Sequence, residues 1–366
     1  MADIIDDTTK EIKDVINSTK KKETPVEFIT SGSTILNLAL SGKGKNGGWA
    51  RGRIVNIVAD GSAGKSLAAL EASARFFYGM EENESINFPK VKEVQVVYNN
   101  VETVMDFPVP AMYGVDFYDN IEWINIPFIE KTGRDFSRRV LNLKEGTSLL
   151  YVIDSWDALK TEKNYDIFIE SANKDKKGKD GYNLGKQQYG TQLFFPSICT
   201  AMEGKDATLM IISQTRDKIG VTFGAKQTRT GGKALDFYTH QVCWFRQVEK
   251  MKKIVKGREL IYGVKVEADV KRSKVALPYR KAMFTILFNY GIDDISSMLD
   301  WYFGPKKKLT EEDLSCFSIP YEGKTDRASV IEFIEGNSLE EELQDLVEKE
   351  WQKQEEKIKP KRKAKF

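Results

Sequence analysis

Four short, mostly apolar runs lie in the first 240 residues of the chain, and helix-length segments separate them. Strands that are buried on both faces have this composition, and their alternation with helices predicts an α/β fold with a largely parallel sheet. The predicted strands are Ile54–Val58, Val94–Tyr98, Leu149–Ile153 and Leu209–Ser213. The predicted helices between them are Lys65–Tyr78, Arg134–Leu143 and Lys186–Met202.

From residue 238 onward the strand-like runs lie closer together and short turns join them. This spacing predicts an antiparallel extension of the same sheet. The runs are Val242–Gln247, Glu259–Val270 and Ala282–Asn289.

The two ends of the chain have other patterns. A helix is predicted at Thr8–Ser18, but it is too short and polar to be stable alone, so we expect an arm that needs a partner surface. A charged helix is predicted from Ser338. The predicted domains are therefore an N-terminal helical arm (1–28), a core (29–290), a small α+β C-terminal domain (291–352) and a basic tail (353–366).

Composition indicates a globular protein of the cytoplasm. The 366 residues are 41% hydrophobic and 30% charged, and no segment approaches the ~18 consecutive apolar residues of a membrane helix. The acidic start, Met1–Asp7, lacks the apolar run of a secretory signal. Three separated cysteines and one histidine predict neither a disulfide framework nor a zinc site. Taken alone, the net charge of +2 argues against a nucleic-acid partner.

A phosphate-binding loop is predicted directly after the first strand, because a glycine-rich segment ending in Gly64-Lys65-Ser66 precedes an alanine-rich helix. Backbone N–H groups there can hold the phosphates of ATP, Lys65 can reach the β- and γ-phosphates, and the Ser66 hydroxyl can bind Mg²⁺. The alternative is a small-residue turn with a chance Gly-Lys-Ser. The predicted nucleotide-binding residues are Asp60, Gly61, Ser62, Ala63, Gly64, Lys65, Ser66 and Leu67.

Two further carboxylates follow predicted strands. Asp154 ends an apolar strand, the arrangement that holds Mg²⁺ in many nucleoside triphosphatases, and Glu102 follows another strand, where it can orient the attacking water as a general base. An acid at a strand end is most often only solvated. Together with the phosphate-binding loop, however, the two acids predict a nucleoside triphosphatase.

The segment from Gln214 to Lys233 has the composition of a mobile, positive loop. It contains five cations and one acid, with four glycines, and such a segment is typical of polyanion binding. Gly231 and Gly232 precede a predicted helix whose N–H groups can bind backbone phosphates, while Ile219 and Phe223 can stack on bases. A solvated flexible loop is the alternative.

Residues Ile211–Tyr238 closely resemble the strand, second DNA-binding loop and following helix of the bacterial RecA strand-exchange recombinases. The resemblance covers about residues 28 to 350. It implies a RecA-like P-loop ATPase core with a mainly parallel sheet. The other similar stretches are Gly32–Leu40, Gly52–Val55, Asp154–Leu159, Lys274–Pro278, Tyr321–Arg327 and Val330–Ile334.

The resemblance implies an ATP-dependent DNA recombinase, which is a DNA-dependent ATPase that converts ATP to ADP and phosphate. Protomers would assemble with ATP and Mg²⁺ into helical filaments on single-stranded DNA, with the N-terminal arm packed on the next protomer. The filament would pair with homologous double-stranded DNA and exchange strands. Single-strand-binding and mediator proteins are further expected partners. A bacterial or phage-infected cytoplasm is the expected location, and the many lysines and the divergent phosphate-binding loop suit a bacteriophage or mobile-element version.

The resemblance also implies roles for single residues. Gln214 would sense the γ-phosphate and act with Glu102 and Lys65 in catalysis, and Asp106 would belong to the nucleotide site. Arg272 and Lys274 would reach the ATP of the neighbouring protomer. The two DNA-binding loops would be about 161–190 and 215–233. Their predicted DNA-binding residues are Lys177, Lys179 and Lys186 in the first loop, and Arg216, Lys218, Ile219, Phe223, Lys226, Arg229, Gly231, Gly232 and Lys233 in the second.

Three residues depart from the family pattern. Ala59 replaces the first glycine of the phosphate-binding loop, Val109 replaces an aromatic residue beside the adenine, and Asp236 replaces a lysine near the ATP interface. Together with the acidic Asp60, Ala59 and Asp236 favour the alternative of a non-catalytic recombination mediator or paralogue. A RecA-fold ring helicase is a further alternative, although it does not explain the Phe223–Gly224 and Thr230–Gly232 segments.

Charge along the chain changes the first interpretation of its net charge. Basic residues cluster at 174–186, at 216–233 and after residue 352, and acids elsewhere balance them. A value of +2 therefore does not exclude a nucleic-acid partner.

Overall fold

The structure is a computed structural model that describes residues 25–79, 91–102, 105, 107–174, 186, 188–217, 227–229, 232–305, 308–321 and 323–362. The predicted helix at Thr8–Ser18 lies outside these ranges. So do residues 175–185 and 218–226 of the two predicted loops.

The strands of the first two thirds of the chain include all four that the sequence predicts there. Two short strands, β1 (Phe28–Ile29) and β2 (Trp49–Ala50), pair with each other in a separate small sheet. The main sheet contains β3 (Ile54–Ala59), β4 (Glu93–Asn100), β5 (Glu122–Ile124), β6 (Thr147–Asp154), β7 (Ala207–Asp217), β8 (Gln227–Arg229), β9 (Gln241–Val255), β10 (Arg258–Ser273), β11 (Lys281–Leu287) and β12 (Gly291–Asp293).

Strand order confirms the predicted α/β fold. Among the described strands the order is β12–β11–β10–β9–β3–β7–β6–β4–β5, and β8 pairs with β7. Strands β3 to β7 and the start of β9 are parallel neighbours, so their carboxyl ends lie at one edge, which we call the carboxyl edge. Ligands of open α/β sheets bind at this edge.

The antiparallel extension is also confirmed, because β9, β10, β11 and β12 pair antiparallel in succession. Strands β9 and β10 are longer than predicted, with 15 and 16 residues. Their far ends extend past β3 and β11 as an exposed hairpin that turns at Lys256 and Gly257.

Helices cover both faces of the sheet. The two buried clusters of apolar side chains lie between them and the strands. The helices are α1 (Thr34–Ser41), α2 (Lys65–Gly79), α3 (Val109–Tyr113), α4 (Val115–Asn120), α5 (Ile129–Leu141), α6 (Glu162–Lys174), α7 (Phe195–Ala201), α8 (Gly232–Tyr238), α9 (Asp294–Phe303), α10 (Glu311–Leu314), α11 (Arg327–Gly336) and α12 (Glu340–Ile358).

The predicted C-terminal domain packs directly on the core. Its first strand, β12, belongs to the main sheet. The buried side chains of Leu343 and Val347 in α12 lie in the same apolar cluster as those of α1, and Trp351 packs against Trp301 with 5.7 Å between ring centroids. None of the helices in the described part of the chain is long and apolar enough to cross a membrane.

Candidate nucleotide site and loop bases

The predicted phosphate-binding loop lies at the carboxyl edge, between β3 and α2. The backbone is left-handed at Ser62 and at Gly64, with φ values of 65° and 76°. A Cβ atom at Gly64 would clash with Cδ1 of Ile286, so both space and conformation require glycine there. The chain thus turns directly into a 15-residue helix whose first N–H groups can bind an anion.

Lys65 lies within this loop, and its ammonium donates a hydrogen bond to the carbonyl oxygen of Asp60. Burial lowers the pKa of Lys65, while the nearby carboxylates of Asp154 and Glu102 act in the opposite direction. A bound phosphate would offer this cation a charged partner in place of a carbonyl dipole.

Asp154 and Ser66 meet at the same edge. The Asp154 carboxylate at the end of β6 accepts hydrogen bonds from the Ser66 hydroxyl and, at 2.8 Å, from the Tyr98 hydroxyl. Burial raises the pKa of Asp154, and these two hydrogen bonds oppose the shift. Two oxygen ligands that face each other in this way fit a hard cation, so the residues present suit Mg²⁺.

Glu102 follows β4 and is held by two donors. Its Oε1 accepts hydrogen bonds from the Ser155 hydroxyl at 2.5 Å and from the Gln214 side-chain amide at 2.8 Å. The three residues come from the ends of β4, β6 and β7, which are neighbours in the sheet. The structure therefore brings the predicted sensor, Gln214, into direct contact with the predicted base.

Sequence reasoning missed three members of this cluster. Tyr98 and Ser155 orient the two carboxylates, and the Asp157 carboxylate accepts a hydrogen bond from the Gln214 backbone N–H at 2.6 Å. Tyr98 is hidden inside an apolar strand. Asp157 carries a signal that could have found it, since it is a charged residue three positions after the end of an apolar strand.

Arg229, one of the predicted DNA-binding cations, faces the protein interior. Its side chain is 5% exposed and pairs with Asp236 of α8 at 2.5 Å. The guanidinium also donates a hydrogen bond to the side chain of the fully buried Asn56 in β3. In turn, Asn56 donates to Ile211 and Ser213 of β7. The base of the second loop is thus fastened to the strand that carries the phosphate-binding loop.

Lys186 in the first loop is also directed inward. Its ammonium donates to the carbonyl oxygens of Trp156, Asp157 and Leu159 at 2.7, 3.1 and 3.0 Å. Of the other predicted loop residues, Gly232 begins α8. The predicted loop residues outside the described residues are Lys177, Lys179, Lys218, Ile219, Phe223, Lys226 and Gly231, and the predicted nucleotide-site residue Asp106 lies outside them too. The backbones of Arg216 and Lys233 lie in β7 and α8.

Arg272 and Lys274 lie at the edge of the sheet opposite the phosphate-binding loop of their own chain. Arg272 is level with Val242 in β9, and Val242 is level with Asn56 in β3, before the strand reaches its carboxyl end. The Lys274 ammonium donates to the carbonyl oxygen of Phe237 at 2.8 Å. Burial and the nearby Arg272 lower its pKa. Within one chain these cations are separate from Lys65 and its neighbours.

Comparisons with known proteins agree with this architecture. Residues 149–293 match the family model of the RecA N-terminal domain. The protein RecA of Nostoc punctiforme is 31% identical over 276 residues, which cover 75% of this chain and 67% of the relative. The proteins RecA of Borrelia duttonii and Corynebacterium aurimucosum are each 29% identical, over 77% and 75% of this chain.

The match spans 69% of the length of the Borrelia relative and 64% of that of the Corynebacterium relative. The family-model match at residues 149–293 includes Asp154, at the end of β6, and Gln214 in β7. Identity at this level over three quarters of the chain, joined to the sheet order above, shows that the chain belongs to the RecA family.

Proposed function

We propose that this protein is an ATP-dependent DNA recombinase that assembles into helical filaments on single-stranded DNA and catalyses homologous pairing and strand exchange in recombination and repair. The observation that carries the proposal is the contact between Gln214 and Glu102. One residue of this pair belongs to the ATP site and the other opens the basic loop. Binding or loss of the γ-phosphate can therefore change the conformation at the base of the loop that is suited to DNA.

The residues of the carboxyl edge divide the chemistry of ATP hydrolysis among them. Lys65 and the N–H groups of the loop bind and orient the phosphates, and Glu102 takes a proton from the attacking water. Ser66 and Asp154 would hold Mg²⁺, which when bound neutralises charge on the phosphate oxygens. Gln214 holds Glu102 in place until the γ-phosphate competes for its amide.

DNA binding belongs to the two loops in this proposal. Arg216, Lys218 and Lys226 would neutralise backbone phosphates, and Phe223 would stack on bases. The second loop connects β7 and β8, which pair as far as Asp217 and Gln227.

The filament follows from the position of Arg272 and Lys274. Because their own phosphate-binding loop lies at the other edge of the sheet, they would meet the ATP of a neighbouring protomer. A site completed by a second copy gives a heterologous interface, which builds an open helix when the rotation does not close.

Two measurements on one sample test the proposal. ATP turnover is measured with and without single-stranded DNA, and the same mixture is imaged by negative stain. We expect DNA to stimulate turnover and helical filaments to form. Rings that move along DNA would instead indicate a helicase. The absence of both turnover and polymer would leave the non-catalytic mediator, which Ala59, Asp60 and Asp236 favour.

A further inference from the structure

A short 3₁₀ turn, Trp156–Ala158, connects the ATP site with both loops. It follows Asp154 and Ser155, and it precedes the first loop. Ser155, at its start, donates the hydrogen bond that holds Glu102. Any shift of this turn therefore moves a group that contacts the predicted general base.

Lys186 holds the turn from the side of the first loop. An ammonium group has three donors, and Lys186 directs hydrogen bonds to three carbonyl oxygens of the turn and its following residue. Its nitrogen also lies 6.0 Å from the centre of the Trp156 ring. The charge of Lys186 is thus engaged within the protein, unlike that of a lysine that reaches into solvent for phosphate.

Asp157 connects the same turn to the second loop. Its carboxylate accepts the backbone N–H of Gln214 at 2.6 Å, while the side chain of Gln214 donates to Glu102 at 2.8 Å. Gln214 is therefore held at two points, by Asp157 of the turn and by Glu102, which Ser155 at the start of the turn contacts. A carboxylate acceptor makes the backbone hydrogen bond a strong one.

Aromatic packing supports the turn from below. The Trp156 ring stacks on Phe195 with 5.3 Å between centroids, and Phe195 stacks on Tyr238 of α8 at the same distance. Gly190 also lies beside the Trp156 ring, since a Cβ atom there would be in van der Waals contact with the indole at 3.4 Å. The turn is thus packed on α7 and α8, which flank the two loops. This packing limits independent movement of the single residues of the turn.

We propose that Lys186 and Asp157 are positioning residues that clamp this turn, so that the ends of both DNA-binding loops and the Ser155–Glu102–Gln214 group change state together. This inference rests on the proposed function. It assigns Lys186 to coupling between ATP and DNA rather than to a phosphate contact. Coupling of this kind is a free energy that links two binding sites. It is measured as the change in affinity for one ligand that the other ligand causes.

The first test measures affinity for single-stranded DNA over a series of salt concentrations, with and without a non-hydrolysable ATP analogue. The variants are Lys186→Met and Asp157→Ala, with Lys144→Met, an exposed lysine outside both loops, as the matched control. We expect Lys186→Met and Asp157→Ala to lose most of the tightening caused by the nucleotide, and to keep the wild-type salt dependence.

The conservative variants Lys186→Arg and Asp157→Asn retain donors or an acceptor, and we expect them to recover much of the tightening. Lys186→Gln, with two donors, replaces the Met variant where that variant does not fold. The proposal is overturned if Lys186→Met keeps the full effect of the nucleotide and reduces the log–log salt slope by about 0.7, as loss of one phosphate contact would.

A second measurement does not depend on DNA binding. Hydrogen exchange in peptides that cover residues 211–217 should be faster in Asp157→Ala than in wild type, and Asp157→Asn should restore protection. Exchange in residues 156–160 should rise in Lys186→Met. If the nucleotide does not change DNA binding by the wild type, the proposed function fails. Hydrogen exchange still decides in that case whether Lys186 and Asp157 clamp the turn. Unchanged exchange in both variants overturns the clamp.

Discussion

The nucleotide site and the loop bases differ in how the same kind of residue is used. At the carboxyl edge, Lys65 lies in the phosphate-binding loop beside Asp154 and Glu102, as its motif predicts. At the loop bases, Arg229 and Lys186 are cations of the predicted DNA-binding set, yet both are hydrogen-bonded inward. A motif with fixed spacing and backbone constraints specifies where a side chain lies, whereas the charge of a loop does not say which cation meets the ligand.

The largest effect is expected at the nucleotide site. Lys65→Ala removes the cation directed at the phosphates, and we expect ATP turnover to fall by about 100- to 1,000-fold or more. Phosphate release in the presence of single-stranded DNA measures this, with the exposed Lys144→Ala as control. Turnover within tenfold of wild type would show that Lys65 does not have the role that both the sequence motif and the structure indicate.

The next effect concerns stability at the base of the second loop. Arg229→Met leaves the buried Asn56 oxygen without this donor and removes the ion pair with Asp236, so we expect a loss of about 1–3 kcal/mol in the free energy of unfolding. Urea unfolding of Arg229→Met, Asp236→Asn and the double variant gives the coupling between the two side chains. Wild-type stability combined with weaker DNA binding would instead mean that Arg229 serves the DNA directly.

Lys218 provides the contrasting case within the same loop. We expect Lys218→Met to weaken binding of single-stranded DNA about equally for all sequences and to reduce the log–log salt slope by roughly 0.7, because one phosphate is no longer neutralised. Fluorescence anisotropy at several salt concentrations measures the slope. A slope equal to that of wild type would show that Lys218 does not contact a phosphate, and that its assignment to the DNA-facing cations is wrong.

A further prediction concerns His240, which lies near the cations at the opposite edge. Burial, with Lys274 and Arg53 nearby, lowers the pKa of His240 to about 4. The unfolded chain therefore binds this proton more readily than the native state between pH 6.5 and 4, so stability falls as the pH decreases through that range. Unfolding of wild type and His240→Asn across the range isolates this contribution. Parallel pH profiles would indicate that His240 is not in a positive environment.

Much of the fold could be predicted from apolar periodicity. All four predicted parallel strands form, and Lys65–Tyr78 differs from the observed helix by one residue. The prediction of one helix at Lys186–Met202 holds only in part, since a π-helical turn at Gly190–Phe194 precedes α7. Helix α6 was not predicted, because its apolar residues are largely exposed and give no clear core-facing stripe.

The sequence predicted the residues that would bind ATP and Mg²⁺, but not the residues that hold those side chains in place. Lys65, Ser66, Asp154 and Glu102 follow strand ends or lie in a motif, so their meeting could be expected from parallel strands alone. The partners that orient them could not. Tyr98 reaches Asp154 across 56 residues of sequence, and Ser155 reaches Glu102 across 53. Such pairs depend on strand order, which the local pattern does not encode.

The sequence by itself determined the four parallel strands, the antiparallel strands that follow them and the turn that connects β3 to α2, because each depends on residues close together in the chain. Only the tertiary structure decided which cations face inward. Arg229 forms an ion pair with Asp236 and donates to Asn56, and Lys186 donates to the carbonyl oxygens of Trp156, Asp157 and Leu159. The physical reason is that a buried charge is stable only with partners. Strand pairing and helix packing bring the partners of Lys186 within its reach and bring Asn56 within reach of Arg229, although these residues are distant in the sequence.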